Sequence, residues 1–237
     1  MKILVSIFVM TFFFVSCEKD TVKVSNETIV LDYTIGNITT LELSHAFQAG
    51  IVYDPAITDL NIEINENLEP HLEVDIVGST LRIGLSDDIN ISGNATLRAT
   101  LTTAELINVI ASGASSCTTF DILDQDNFNL VLSGASQYTG NLQLANLNAE
   151  LSGASQVTIS GNVSSAEINL SGASQIGGYF ARIENLKTNF SGASSGRLTV
   201  NQTLDATLSG ASTLEYKGDP QITNQDITGG SNLIDRD

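Results

Sequence analysis

The chain has 237 residues, no tryptophan, 6% aromatic and 16% charged residues, and a formal net charge of −17 at pH 7. This length is sufficient for a substantial core, and the apolar residues are mainly aliphatic, which suits thin stacked layers. Between Val24 and Ala181 the only basic residues are Arg82 and Arg98. Because a phosphate-binding surface needs clustered Lys and Arg, the composition argues against nucleic acid as a partner.

Residues 1–16 have the pattern of a lipoprotein signal peptide. Lys2 supplies a positive charge, and residues 3–15 form an apolar run that is too short to cross a bilayer. The sequence Phe14-Val15-Ser16-Cys17 resembles a bacterial lipobox, with Phe14 in place of the usual leucine. The resemblance implies lipid attachment at Cys17 and a membrane partner through an anchor of three acyl chains. The alternative is an ordinary secretory signal whose first mature residue happens to be Cys17.

Residues 17–27 are predicted to be a lipidated tether in front of a head domain at 28–237. The stretch Glu18-Lys19-Asp20 resembles the acidic tag that sends lipoproteins of the Bacteroidota to the cell surface. The resemblance implies an outer membrane lipoprotein at the cell surface, in preference to the periplasmic face.

Residues 28–90 are predicted to form strands in succession. Apolar and polar residues alternate at 39–43, 60–64, 72–76 and 81–85, and turn residues separate these segments. The alternation leaves open whether these strands continue the fold that follows or form a cap on it, and we expect one continuous domain. The stretch 91–94, in which Gly93 lies one repeat length before Gly113, is the expected imperfect first copy of the repeat described next.

The phrase Ser-Gly-Ala-Ser recurs through residues 91–232 at a nearly regular spacing. It opens at Ser112, Ser133, Ser152, Ser171, Ser191 and Ser209, and a decayed copy opens at Thr228. A fixed period of about 20 residues is typical of a solenoid, in which each repeat is one coil stacked on the last.

An alternating triplet precedes each phrase, and its apolar members are predicted to point inward. The triplets are Ile107, Val109, Ala111; Phe128, Leu130, Leu132; Leu147, Ala149, Leu151; Ala166, Ile168, Leu170; Leu186, Thr188, Phe190; and Leu204, Ala206, Leu208. Glycine suits a turn with positive φ, alanine a narrow point of the coil, and serine hydroxyls bond the backbone of their own or the next coil. A second corner is predicted at Gly161-Asn162.

The predicted fold is therefore all-β: a single-stranded parallel β-helix, or solenoid, with coils of about 20 residues and Ser-Gly-Ala-Ser corners. Each coil is expected to contain two or three short strands. We expect a right-handed coil because parallel crossovers are right-handed.

Nearly the whole mature chain, about residues 33–232, is similar to the head GIN domain family of auto-transporter adhesins, which is common among Bacteroidota lipoproteins. The similarity is carried by the Ser-Gly-Ala-Ser phrases from Ala111 to Ser212, the strand pair at 60–64 and 72–85, and the ending at 214–220. Family members often have Ser-Gly-Ser-Gly at the phrase. The resemblance implies a β-helix head on a lipid anchor and a role in adhesion.

We expect no catalytic residues, no cofactor and no metal site. His45 and His71 have no His or Cys partners at metal-binding spacing. Asp121, Asp124 and Asp126 form an acidic cluster that does not match an EF-hand loop, and the serines have no accompanying nucleophile elbow. Cys117 falls at the repeat position of Val157, Ile176 and Leu214, which predicts a buried, inert thiol.

Three functions follow as hypotheses. The first is a non-enzymatic envelope lipoprotein that presents its β-helix to an unidentified protein or glycan. The second is an envelope scaffold that self-associates through an open end of the solenoid. The third is a polysaccharide-acting enzyme. The sequence leaves the ligand and the oligomeric state open.

Overall fold

A computed structural model describes residues 20–237. The fold is nearly all-β, with 68% strand and 3% helix, and forms a solenoid of about 7 turns with about 19 residues per turn. A single 3-10 helix, Glu66–His71, lies among the described residues. The strands are β1 Asp20–Lys23, β2 Thr28–Thr34, β3 Thr40–Leu43, β4 Gln48–Tyr53, β5 Asp59–Asn65, β6 Leu72–Val77, β7 Thr80–Leu85, β8 Ile89–Ser92, β9 Leu97–Thr103, β10 Asn108–Ala111, β11 Ser116–Leu132, β12 Gln137–Leu151, β13 Gln156–Leu170, β14 Gln175–Phe190, β15 Ser195–Leu208, β16 Thr213–Lys217, β17 Gln221–Ile227 and β18 Asn232–Asp235.

Parallel pairing between successive coils confirms the predicted solenoid. In β12 and β13, Gln137 pairs with Gln156 and Leu151 pairs with Leu170, so each coil stacks residue for residue on the last. The expectation of two or three short strands per coil is wrong for the central coils, because β11 to β15 each run without a break from one corner to the next; the coil of β3 and β4 does have two short strands. The predicted corner at Gly161 is a bend inside β13, where a φ of +101° redirects the strand while the ladder continues.

The predicted inward columns form the core, with one exception. Leu151, Leu170 and Leu208 are each at most 3% exposed. Ile107 is only half-buried, and Leu106 is fully buried instead. The predicted alternation does not hold at Ile107 because this residue precedes the strand: β10 begins at Asn108.

Each Ser-Gly-Ala-Ser phrase forms a turn in which glycine and alanine lie at the surface. Gly153 has a φ of +72°, and the N–H of Ala154 donates to the carbonyl oxygen of Gly134 at 2.7 Å. Alanine was predicted at a narrow point of the coil, and the alanines of all six phrases are exposed there. The alanine backbone, rather than its side chain, joins the coils.

In most of the phrases the two serines bond as predicted. The Oγ of Ser152 donates to the carbonyl oxygen of Leu132 on the preceding coil at 3.4 Å. The Oγ of Ser155, a fully buried residue, donates to the carbonyl oxygen of Ser152 at 2.8 Å. The first serine therefore ties neighbouring coils together, and the last closes its own turn.

Chain order and spatial order differ at the N-terminal end. The coil formed by β3 and β4 pairs on one side with β10 and β11 and on the other with β7 and β9. The turn that stacks beneath Gly113 is therefore residues 44–47, in which His45 and Ala46 have positive φ. The expectation that 91–94 is the first copy of the corner is wrong, because β8 pairs instead with β1 in a separate two-stranded sheet.

The N-terminal strands both continue the solenoid and cap it. β3, β4, β7 and β9 add parallel rungs, whereas β2, β5 and β6 add antiparallel strands at the end. Leu68, on the 3-10 helix, is fully buried. Sixteen strands form one sheet around one hydrophobic core.

Candidate functional site

One side of the solenoid carries two columns of outward side chains, which we call the glutamine–threonine face. They occupy the first strand of each coil after its corner, and the register aligns them. The first column is Arg98, Gln48, Ser116, Gln137, Gln156, Gln175, Ser195 and Thr213; the second is Thr100, Gly50, Thr118, Thr139, Thr158, Gly177, Arg197 and Glu215. With about 4.8 Å between coils, the face extends about 29 Å from the level of Arg98 to that of Arg197.

Two aromatic side chains project beside this face from bulges. In β11, three residues including Phe120 lie opposite one residue of β12, and in β14, four residues including Phe180 lie opposite one residue of β15. Phe120 and Phe180 are 68% and 83% exposed. Three coil steps, about 14 Å, separate their strands. Bulges are over-represented next to functional sites, where they re-aim a side chain.

The repeat spacing contained a signal for both bulges that sequence reasoning missed. The two longest intervals between successive phrases, from Ser112 to Ser133 and from Ser171 to Ser191, are those that contain Phe120 and Phe180. A coil has a set circumference, so an extra residue has to project outward. Unevenness in the period therefore marks the positions of exposed side chains.

Each bulge borders a shallow groove on the glutamine–threonine face. The Phe120 groove has a volume of about 270 Å³ and contains Arg98 and Thr118, with the Phe120 ring lying over Gly50. The Tyr179 groove has a volume of about 480 Å³. Its lining is Gln156, Val157, Thr158, Gln175, Ile176, Gly177, Gly178, Tyr179, Ser195 and Arg197. Among the described residues that line either groove, none is acidic.

A hydrogen-bonded cluster holds Tyr179 and Arg197 in place. Glu215 accepts from Arg236 Nη2 through Oε1 at 2.7 Å and from the Tyr179 hydroxyl through Oε2 at 3.1 Å, while Arg197 Nε lies 3.3 Å from Oε2. The Lys217 ammonium lies 5.0 Å from the centre of the Tyr179 ring. The Arg236 hydrogen bond lowers the pKa of Glu215, and burial raises the pKa of Tyr179. One ionised carboxylate is thus paired with two arginines, and a third cation lies over the tyrosine ring.

Some of the asparagines on another side of the solenoid bond to asparagines of the next coil. Asn129 Nδ2 donates to Asn108 Oδ1 at 2.8 Å, and Asn146 Nδ2 donates to Asn127 Oδ1 at 3.0 Å. The groove beside them includes the carboxylate of Glu167. These hydrogen bonds join neighbouring coils.

The residues considered for chemistry from the sequence lie apart. His45 is bonded to Ser44 and to Asp87 at 3.1 Å in an acidic groove near the N-terminal cap, and Asp121 accepts from the backbone N–H of Tyr53. Among residues 20–237, no group of three or more His, Cys, Asp or Glu side chains is arranged to hold a metal ion.

Cys117 is fully buried in the column that contains Val157, as predicted, and burial raises the pKa of its thiol to about 12. The predicted lipid attachment site, Cys17, lies outside the described residues. Within the described part of the chain, no helix is long and apolar enough to span a membrane.

Solved structures with this fold come from Bacteroides and Parabacteroides species. A crystal structure of a putative adhesin from Bacteroides fragilis is 18% identical with a TM-score of 0.86, and covers 91% of this chain and 100% of its own. A putative adhesin from Parabacteroides merdae is 18% identical with a TM-score of 0.74, covering 92% of this chain and 100% of its own. A putative lipid binding protein from Parabacteroides distasonis is 18% identical with a TM-score of 0.76, covering 92% of this chain and 100% of its own. At these identities the similarity shows the fold alone.

A search of curated proteins finds no match. The model of the family described as "Putative auto-transporter adhesin, head GIN domain" matches residues 37–220. This match covers most of the solenoid, including both bulges and both grooves, and the chain belongs to the head GIN domain family.

Proposed function

We propose that this protein is a non-enzymatic lipoprotein of the cell envelope that binds an unidentified protein or glycan along the glutamine–threonine face. The observation that carries the proposal is the pair of bulges that hold Phe120 and Phe180 beside this face. Burying a phenylalanine side chain contributes about 1.5–3 kcal/mol. A partner that covered the exposed side chains of Phe120 and Phe180 would gain this free energy on binding. The family's description as adhesins supports a binding role.

The anchor in this proposal is a lipid on Cys17, and the location is the outer surface of the outer membrane. We would add protease to intact cells that express the wild type or Cys17→Ser and then fractionate them. Cleavage of the wild type by external protease, with loss of membrane association in Cys17→Ser, is the expected result. A wild type that is protected until the outer membrane is broken would contradict the surface location.

Binding is tested by screening the full chain, purified in detergent, against arrays of glycans and of envelope and host proteins. The double variant Phe120→Ser/Phe180→Ser should lose the ligand that the wild type binds. The double variant Ile76→Ser/Val77→Ser is the matched control, because both of its side chains are exposed on β6, which pairs with β7 and adds no rung to this face. A ligand that binds equally to all three proteins would refute the assignment of the face.

The last coil argues against the alternative of a self-associating scaffold. Gln225 occupies the position that Ala206 occupies one coil earlier, and residues 223–226 are exposed and polar. Polar terminal repeats favour a closed end over end-to-end pairing. A monomer by light scattering at high concentration is expected, and concentration-dependent growth would favour the scaffold.

A further inference from the structure

We propose that the Tyr179 groove is the binding site for the carboxylate of an acidic sugar unit in an extended glycan, with Arg197 as the carboxylate-binding residue. The inference rests on the proposed function, because it specifies the ligand of the same face.

The distribution of charge favours an anion at this groove. The described part of the chain has eight basic residues, and five of them follow residue 181. Arg197, Lys217 and Arg236 gather around Tyr179 and the carboxylate of Glu215, so three basic side chains lie beside this groove. Elsewhere the strongly negative chain repels anions, so this cluster is where an acidic polymer can approach.

Arg197 is both held and accessible. Its Nε lies 3.3 Å from Glu215 Oε2 in an ion pair, and its side chain is 67% exposed at the groove. An arginine held through Nε keeps its two Nη amino groups free to donate to a planar carboxylate. Glu215, whose side chain is 17% exposed, is therefore a positioning residue for Arg197.

The rest of the groove suits the hydroxyl groups and apolar faces of sugar rings. Gln156, Gln175 and Thr158 supply amide and hydroxyl groups that both donate and accept hydrogen bonds. The Phe180 ring is exposed on the same bulge as Tyr179. Repetition of the same groups along the columns matches a polymer of repeated units more closely than it matches a single folded partner.

Gly177 keeps this groove open. It lies next to Thr158 in the second column of the glutamine–threonine face, and no atom lies within 4 Å of the position that its Cβ would occupy. Gly177→Thr therefore fits the strand, continues the column and fills the groove, which makes it a steric block that the fold tolerates.

The test measures binding of polygalacturonate and of its methyl ester to the full chain in detergent, at two salt concentrations, by calorimetry or interferometry. Polygalacturonate should bind, and its affinity should fall as the salt concentration rises. The uncharged methyl ester should bind at least about tenfold more weakly. Arg197→Gln and Gly177→Thr should each lower affinity for the acid polymer about tenfold or more. Arg82→Gln, which removes an exposed arginine paired with Glu42 on another side of the solenoid, should keep its affinity for the acid polymer within about twofold of wild type.

Dextran sulfate, included as a competitor, should displace the acid polymer poorly if the planar carboxylate is what Arg197 recognises.

Equal binding of acid and ester, equal affinity of Arg197→Gln and Arg82→Gln, or no binding of polygalacturonate would each overturn the carboxylate assignment. If an uncharged glycan, a protein or an acidic peptide binds instead and is lost in Phe120→Ser/Phe180→Ser, the proposed function stands and this inference fails. If the acid polymer binds and neither Arg197→Gln, Gly177→Thr nor the double phenylalanine variant affects it, both fail.

Discussion

The carbonyl oxygen of Gly134 lies 2.5 Å from the position that a Cβ on Gly153 would occupy. The same relation joins the glycines of successive phrases up the solenoid, and each has a φ near +70°. From Gly134 onward, glycine is therefore required twice at each corner: by its own backbone conformation and by the carbonyl group of the coil beneath it.

We expect Gly153→Ala to destabilise the protein by at least about 2 kcal/mol, because it adds a left-handed alanine and a clash with backbone that cannot move aside. Gly177→Ala is the control, since its Cβ would meet no atom within 4 Å. Chemical denaturation measures both, and equal stabilities of the two variants would show that the corner glycines are replaceable.

Leu170 lies in the middle of the stack and is 2% exposed. Leu170→Ala should cost about 2–5 kcal/mol, and Leu170→Asp should cost more and unfold several coils, because each coil buries its apolar face only against its neighbours. Ser164→Asp introduces the same charge at an exposed position of the same strand and should change little. Thermal unfolding followed by circular dichroism is the measurement, and a Leu170→Asp melting curve like that of wild type would contradict the inward assignment.

The corner serines differ in one respect that can be tested. Ser155 Oγ donates to the Ser152 carbonyl oxygen, whereas Ser115 Oγ is buried with no hydrogen-bond partner among the described residues. Ser155→Ala should therefore cost about 1 kcal/mol, and Ser115→Ala should be neutral or slightly stabilising because it removes an unsatisfied group. Denaturant midpoints of the two variants distinguish them, and the reverse order would refute this bonding scheme.

Cys117 should be unreactive in the folded protein, because burial raises its pKa from 9.0 to about 12 and the thiolate is the nucleophile. In a Cys17→Ser background, which leaves Cys117 as the only thiol, we expect no maleimide labelling at pH 8 until denaturant is added. Labelling at the rate of a free thiol without denaturant would contradict burial.

The same shift predicts a loss of stability in alkali. The folded state holds the proton of the Cys117 thiol more tightly than the unfolded state does. The stability that this proton contributes is therefore complete below pH 9 and disappears as the pH rises towards 12. Cys117→Val should lose less stability than its parent over this range. Burial also raises the pKa values of Tyr53 and Tyr138, so part of the alkaline loss should remain in that variant.

Local patterns predicted most of the solenoid. Strict alternation placed strands at β3, β5, β6 and β7, and the period placed the corners and the inward columns. The errors at Ile107 and at the stretch 91–94 were of one kind, since both were assigned from sequence spacing alone. Spacing gives a residue's position along a coil, but it does not identify the coil that lies next to it.

The sequence by itself determined the coil, because the period of the repeat and the alternation of apolar and polar residues are local properties that each repeat carries in full. Only the tertiary structure decided that β3 and β4 lie between the coil of β7 and β9 and the coil of β10 and β11. It also decided that Arg197 and Tyr179 meet at one groove, with Glu215 beside it. Those contacts depend on parallel pairing between segments distant in the chain, and on where extra residues bulge out of a coil whose circumference its neighbours set. Many registers satisfy the same alternation, and packing against the coils on either side selects one.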